Sequence, residues 1–131
     1  ADAGYLPLYV PYARPEEGMA ELSSAIEAHL PIAVLLLGMG ADMHTASLFP
    51  GADRLTEALA PEAPVLLPMR AAGAPEARIT LSARALDAAA HKHIVITGAE
   101  KRKALDAAHD LPAATAPVSA VLEGTTVHWA P

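Results

Sequence analysis

The apolar positions of this chain follow two spacings, and together they predict strands interleaved with helices. Apolar side chains three or four positions apart predict a helix over residues 15–30, which Pro31 ends. The unbroken apolar run over residues 32–37 predicts a buried strand, and residues 38–51 are expected to form the loop that follows it. Further helices are expected over residues 53–59, 82–90 and 98–109. Further strands are expected over residues 6–10, 65–67, 79–81, 93–97 and 125–129, with a loop over residues 70–77.

This alternation of strands with helices is typical of an α/β domain. We expect three layers, a mostly parallel sheet with flanking helices, as part of a doubly wound Rossmann-like domain. At 131 residues the chain has the length of one domain, and no repeat or low-complexity segment divides it. Residues 1–131 are therefore expected to form a single α/β unit.

Composition narrows the classes of function. The chain has 9 Lys and Arg against 15 Asp and Glu, a net charge of −6, which argues against nucleic acid and membrane surfaces as partners. The longest apolar run, residues 32–37, is far shorter than the about 20 residues with which a helix spans a bilayer. The absence of cysteine excludes disulfides and thiolate chemistry and favours a cytoplasmic location.

The candidate chemistry is concentrated in residues 38–51, Gly-Met-Gly-Ala-Asp-Met-His-Thr-Ala-Ser-Leu-Phe-Pro-Gly. Ligands of α/β proteins bind at the carboxyl ends of parallel strands, which is where this loop is expected. His44 is the first candidate, because an ordinary imidazole has a pKa of about 6.5 and can accept and return a proton. Asp42 either orients this ring or contacts a substrate hydroxyl. Backbone amides near Gly38 would stabilise an oxyanion. The alternative for His44 is a loop histidine that is bonded only to the backbone.

A second segment, residues 96–101 (Ile-Thr-Gly-Ala-Glu-Lys), runs from a predicted strand into the start of a helix. A helix N-terminus offers free amides to an anion, and Lys101 adds a positive charge that is otherwise unfavourable in a first turn. Lys101 is thus either an anion ligand or a solvated surface lysine. Arg78 is either a substrate contact or a solvated strand end. His91 and His93 have no carboxylate or thiolate at ligand spacing, so neither a metal nor a cofactor is expected.

Residues 38–51 closely resemble the Gly-x-Gly-x-Asp-Gly-His-Thr-Ala-Ser-Leu-Phe-Pro signature of the 6-phosphogluconolactonases. The Thr-Gly-x-x-Lys pattern ending at Lys101 and the Arg-Ile-Thr-Leu-Ser segment starting at Arg78 also resemble this family, and the resemblance covers nearly all of the chain. It implies hydrolysis of 6-phosphoglucono-δ-lactone to 6-phosphogluconate in the oxidative pentose phosphate pathway, with His44 as general base and acid and Asp42 beside it. The substrate-binding residues that it implies are Gly38, Gly40, Thr45, Arg78 and Lys101, with Lys101 on the sugar phosphate.

Two alternatives share parts of this pattern. Sugar-phosphate isomerases and deaminases of the same fold have a similar Asp-x-His loop and a similar lysine, but residues 45–50 resemble the lactonases and not the deaminases. Within that segment Thr45 and Ser47 are better suited to capping a turn than to nucleophilic attack. The other alternative is a sugar-phosphate-binding module without catalysis.

Two features depart from the family pattern. The family is about twice as long and carries an amino-terminal half with a Gly-Gly-Ser-Thr-Pro-like loop, whereas this sequence contains no Gly-Gly pair. We therefore expect the carboxyl-terminal half of a longer lactonase domain, with a missing amino-terminal segment or a homo-oligomer contact covering an exposed sheet edge. Met43 stands where the family has glycine. We expect a positive φ or a close approach to the ligand there, and a positive φ costs a methionine on the order of 1 kcal/mol.

Overall fold

The computed structural model describes residues 2–131, and these residues form an α/β arrangement. The strands are β1 (Val34–Gly38), β2 (Leu66–Ala71), β3 (Ala74–Leu81), β4 (His91–Thr97) and β5 (Thr125–Ala130). The α-helices are α1 (Met19–Glu27), α2 (Leu55–Leu59), α3 (Ala83–Asp87) and α4 (Ala99–Ala108), and 3₁₀ turns lie at Pro15–Gly18 and Pro117–Val121. No helix in residues 2–131 has the length and apolar character that crossing a bilayer requires.

β1, β4 and β5 form a parallel sheet with β4 in the centre. Successive side chains of a strand point to opposite faces, so each strand of the sheet contributes apolar residues to one buried face. Those of β1 and β4 are Leu35, Leu37, Ile94 and Ile96. α4 and the turn Pro117–Val121 contribute to the same apolar cluster. The predicted α/β fold with a parallel sheet and flanking helices is thereby confirmed.

The opposite face of this sheet is open within residues 2–131. On it the side chains of Val34, Leu36 and Val95 are exposed by 63%, 68% and 45%. β1 is also an edge strand, because among the described strands it pairs only with β4. The described residues therefore supply helices to one face of the sheet and leave an apolar edge and face uncovered. We call the surface formed by Val34, Leu36 and Val95 the open sheet face.

β2 and β3 form an antiparallel hairpin, which corrects the expectation of a loop over residues 70–77. β2 continues to Ala71 and β3 begins at Ala74, with a register shift between Met69 and Ala71. The expectation was wrong because alanine, glycine and proline have low strand propensity. Pairing across the hairpin nevertheless holds these residues extended, and local sequence does not reveal such pairing.

The N-terminal region also differs from expectation. Residues 6–10 form no strand, and the helix expected over residues 15–30 begins as a 3₁₀ turn and ends at Glu27. Val10 nevertheless anchors this region, because a side chain at Gly18 would meet the Val10 methyl groups at 2.3 Å. Val10 belongs to a second apolar cluster, in which α1 packs on β2. Burial of single side chains, rather than strand pairing, therefore holds the segment before α1.

An ion pair between Arg70 and Glu16 joins the 3₁₀ turn Pro15–Gly18 to β2. The Arg70 guanidinium donates from Nη1 to Glu16 Oε1 at 2.6 Å and from Nη2 to Oε2 at 3.2 Å. The hydrogen bond from the Arg70 side chain is the largest effect on the Glu16 carboxyl and lowers its pKa from 4.5 to about 2. The carboxylate form is thus favoured in the folded state.

We predict that this pair makes folding stability depend on pH below about 5. The Glu16 pKa is lower in the folded chain than in the unfolded chain. Its contribution is therefore complete above the unfolded pKa of 4.5 and is lost as pH falls toward the folded value of about 2. Glu16→Gln removes the contribution at neutral pH and should flatten the fall in the free energy of unfolding, measured with urea between pH 7 and pH 3. Glu62→Gln, at an exposed position, is the charge-matched control. Equal pH slopes for Glu16→Gln and the unsubstituted chain would contradict the prediction.

Candidate active site at the carboxyl end of β1

The loop that follows β1 closes into a tight turn. The Gly40 amide donates to the His44 carbonyl at 3.1 Å, and the Met43 amide donates to the Gly40 carbonyl at 2.9 Å. The Thr45 hydroxyl donates to the Gly38 carbonyl at 2.8 Å, and the Thr45 side chain is completely buried. These bonds fix the start of the loop to the end of β1, so the side chain of His44 projects from a rigid frame.

Asp42 and His44 form a close pair in this turn. Asp42 Oδ1 lies 2.5 Å from His44 Nδ1 and also accepts the His44 backbone amide at 3.1 Å. Burial disfavours the charged carboxylate, but the hydrogen bonds from the His44 amide and ring outweigh it and hold the pKa of Asp42 below its ordinary value of 3.8. An ionised Asp42 accepts a hydrogen bond from a protonated Nδ1. This leaves Nε2 as the nitrogen available for proton transfer.

Two glycines at the start of the loop meet different requirements. A Cβ atom at Gly40 would lie 2.3 Å from His44 Nδ1 and 2.6 Å from Asp42 Oδ1, so this glycine makes room for the pair. A Cβ atom at Gly38 would meet nothing within 4 Å. Gly40 therefore leaves the room that the imidazole of His44 occupies, whereas Gly38 leaves open space at the end of β1.

A cavity of about 440 Å³ lies at the carboxyl ends of β1 and β4. His44 and Lys101 line it, together with Gly38 and Gly40. Lys101 is in the first turn of α4, the helix that follows β4, and within residues 2–131 its ammonium group forms no ion pair or side-chain hydrogen bond. Because β1 and β4 are adjacent and parallel, their following segments meet at one edge of the sheet. The structure thus brings four of the predicted site residues together, and one of the four, Lys101, is a cation with no ion-pair partner within residues 2–131.

Two other predicted substrate-binding residues are placed differently. The Thr45 side chain is buried and bonded to the backbone, as described above. Arg78 lines a separate cavity of about 470 Å³ with Tyr9, Tyr12 and Ser47. The structure therefore does not bring Thr45 or Arg78 into the cavity of His44 within the described residues.

A larger cavity of about 580 Å³ beside the β2–β3 turn is a weaker candidate. Arg70 lines it, but the Glu16 carboxylate already pairs with this guanidinium. No histidine lines this cavity. Its chemistry therefore offers no group that accepts and returns a proton near neutral pH.

Residues 2–131 contain no cluster of three or more His, Asp or Glu side chains arranged to hold a metal ion. His93 Nδ1 lies 3.1 Å from His128 Nε2 on neighbouring strands, which is a contact between two imidazoles only. His91 does not join this pair as a third ligand.

The sequence analysis missed two features of the loop. The Phe49 ring stacks on the His44 ring, with centroids 4.4 Å apart and an interplanar angle of 29°. Ala46 has φ of 49° in addition to φ of 68° at Met43. The positive φ at Met43 was expected, whereas the one at Ala46 was not, because alanine gives no signal for it. Phe49 is five positions after His44 in the chain, and only the fold of the loop brings the two rings together.

Comparison with known proteins agrees with this fold. Residues 2–129 match the family model described as Glucosamine-6-phosphate isomerases/6-phosphogluconolactonase. The chain is 42% identical over 136 residues to the 6-phosphogluconolactonase of Pseudomonas aeruginosa, with 100% of this chain and 57% of that protein covered. It is 38% identical over 135 residues to the 6-phosphogluconolactonase of Mesorhizobium japonicum, with 98% and 56% covered.

The solved structures lead to the same family. The crystal structure of a 6-phosphogluconolactonase from Shewanella baltica matches with a TM-score of 0.87 at 28% identity, over 95% of this chain and 55% of that chain. The chain thus spans about half the length of the relatives that it matches. The resemblance seen in the sequence is confirmed: this chain belongs to the glucosamine-6-phosphate isomerase/6-phosphogluconolactonase family.

Proposed function

We propose that the protein to which this chain belongs hydrolyses 6-phosphoglucono-δ-lactone to 6-phosphogluconate, in the oxidative pentose phosphate pathway. The observation that carries the proposal is one cavity that contains both a histidine paired with an aspartate and a lysine without an ion-pair partner in the described part of the chain. A lactone ester needs a group that moves protons, and a phosphate needs a cation. The relatives reported above carry the name 6-phosphogluconolactonase.

In this mechanism His44 Nε2 takes a proton from water, and the resulting hydroxide attacks the lactone carbonyl carbon. The tetrahedral intermediate carries its negative charge on the former carbonyl oxygen, near the amides at the end of β1. The imidazolium then returns its proton to the ring oxygen as the bond from that oxygen to the carbonyl carbon breaks. Asp42 stabilises the imidazolium through Nδ1. The product is an open-chain acid with a new hydroxyl group.

Lys101 and the N-terminus of α4 are the proposed site for the sugar phosphate. Lys101 lines the cavity, and the first amides of α4 have no partner within the helix. Gly98 precedes α4 with φ of 84°, and a Cβ atom there would meet nothing within 4 Å. The chain has a net charge of −6, so local groups of this kind must supply the attraction for an anionic substrate.

The alternatives are a sugar-phosphate isomerase or deaminase and a binding module without catalysis. The family description names isomerases as well as lactonases. Residues 45–50 favour the lactonase, because this segment resembles the lactonases and supplies two contacts that hold the loop. These are the hydrogen bond from the Thr45 hydroxyl to the Gly38 carbonyl and the stacking of Phe49 on His44. Met43 is the feature that favours lost catalysis, since its backbone has φ of 68° beside the pair of Asp42 and His44.

We also propose that residues 1–131 are the carboxyl-terminal half of a longer lactonase domain, and that a further segment of the whole protein covers the open sheet face. The relatives continue well beyond the matched region, since this chain covers 57% of the Pseudomonas aeruginosa protein. Apolar side chains on a sheet face are unfavourable in water. A homo-oligomer contact is the other possible cover. A cytoplasmic location, expected from the lack of cysteine, stays a prediction.

The first prediction of the proposed function concerns lactone hydrolysis above the spontaneous rate. His44→Ala should lower the catalysed rate by about 10²- to 10⁴-fold, because general acid–base catalysis is lost. Lys101→Ala should raise KM by about tenfold, because a charge-assisted phosphate contact is lost. His29→Ala and Lys103→Ala, at exposed positions, are matched controls. Catalysis that survives in His44→Ala would exclude His44 as the base. Phosphosugar binding without turnover by the complete protein would favour the binding module.

The second prediction concerns the backbone strain at Met43. Met43→Ala keeps a Cβ atom at φ of 68°, whereas Met43→Gly removes it. The glycine variant should therefore be more stable than the alanine variant by on the order of 1 kcal/mol in urea unfolding. At the exposed position Ala107 in α4 the order should reverse, because glycine is the weaker helix former by about 1 kcal/mol. Met43→Gly should also raise the rate of lactone hydrolysis, and an unchanged rate would remove the argument that Met43 hinders the site.

The third prediction tests the cover of the open sheet face. Leu36→Ser should change the stability of the 131-residue chain by less than about 0.5 kcal/mol, because Leu36 is exposed by 68%. The same substitution should destabilise the complete protein by about 2 kcal/mol if a further segment buries this residue. Leu35→Ser, on the buried face of β1, should be strongly destabilising in both. Equal small effects at Leu36 in both proteins would mean that the face stays uncovered.

A further inference from the structure

The stacking of Phe49 on His44 is a contact that the proposed proton transfer does not itself explain. The ring centroids are 4.4 Å apart at an interplanar angle of 29°, and Phe49 is half-buried. Aromatic pairs at this range attract each other beyond the effect of their buried area. The contact therefore restricts the imidazole on one of its faces.

Phe49 reaches this position through a turn in the loop. Thr45 and Leu48 pair across it, and the Leu48 amide donates to the Thr45 carbonyl at 2.9 Å. Ala46 takes φ of 49° inside the turn, and the Ser47 amide donates to the Thr80 hydroxyl at 3.3 Å. The side chains of Thr45 and Leu48 are both completely buried. The backbone that carries Phe49 is thus anchored on both the core and β3.

Three groups then hold the imidazole of His44. Asp42 Oδ1 accepts at Nδ1, and the Gly40 backbone lies so close that an added Cβ would be 2.4 Å from His44 Cε1. Phe49 supplies the third contact, on the face of the ring. Without it, a ring that donates one hydrogen bond to an exposed carboxylate is free to rotate away from Gly40.

We propose that Phe49 is a positioning residue that keeps His44 Nε2 directed into the cavity shared with Lys101. The proposal rests on the proposed role of His44 as general base. Phe49 touches neither the proposed water nor the lactone in this account, and it acts through His44.

The orientation of His44 can be measured without turnover. In the 131-residue chain labelled with ¹⁵N-histidine, we expect neutral His44 to carry its proton on Nδ1 and to show a nuclear Overhauser effect from Hε1 to the Gly40 α-protons. Phe49→Leu should weaken this effect and mix the two tautomers, whereas Phe49→Tyr should preserve both observations. Gly40→Ala should displace the ring from its other side and serves as a positive control. Signals of the exposed His29 and His109 should stay unchanged in folded variants.

The kinetic measurement distinguishes positioning from support of the fold. In the complete protein Phe49→Leu should lower kcat for lactone hydrolysis by about tenfold with KM changed less than about twofold, and Phe49→Tyr should restore kcat. An unchanged His44 tautomer and Gly40 contact in folded Phe49→Leu would overturn the proposal, whatever the activity. If the unsubstituted protein does not hydrolyse the lactone, the proposed function fails, and the spectroscopic result still decides whether Phe49 positions His44.

Discussion

The site depends on the parallel pairing of β1 with β4. Gly38 and Val95 are partners in this pairing, so the two strands end side by side at one edge of the sheet. The loop after β1 carries His44, and the helix after β4 carries Lys101. The strands are far apart in sequence, and only their hydrogen-bonded register brings the imidazole and the ammonium group to one cavity. Changes that shift this register would separate the two groups even with every side chain retained.

The loop itself combines strain with strong anchors. Met43 and Ala46 both have positive φ, which is unfavourable for residues with a side chain. Buried contacts on either side offset this: the Thr45 hydroxyl binds the Gly38 carbonyl, and Leu48 is completely buried. Strained backbone held by buried anchors is typical of functional sites, where one geometry must be kept against more relaxed alternatives. In this loop that geometry presents His44 between Asp42 and Phe49.

Within the described residues, the parallel sheet is covered on one face and open on the other. Its helix-covered face forms a continuous core from β1 through α4 to the turn Pro117–Val121. Its open sheet face leaves Leu36 exposed beside the cavity, since Leu36 lines the cavity as well. A segment that covers this face would also close one side of the cavity. Burial of apolar surface and exclusion of water from the site are therefore coupled at β1.

The sequence by itself determined several of the elements and the residue types that the loop after β1 presents. Apolar spacing is a local property, so it predicted β1, α4 and the parallel α/β class, and the density of polar groups after β1 predicted where the candidate site lies. Positive φ at Met43 also followed from the sequence, because a methionine replaces the glycine of a known pattern. The site residues themselves, with their roles, remain predictions.

Tertiary structure alone decided which of these residues meet. Arg78 was predicted to bind substrate as Lys101 was, yet it lines another cavity, because the hairpin of β2 and β3 takes it there. The hairpin was not predicted, since its alanines lack strand propensity and only cross-strand pairing keeps them extended. The stacking of Phe49 on His44 was missed for a similar reason. Contacts between side chains depend on long-range pairing and on loop closure, and the local spacing of residue types does not encode either.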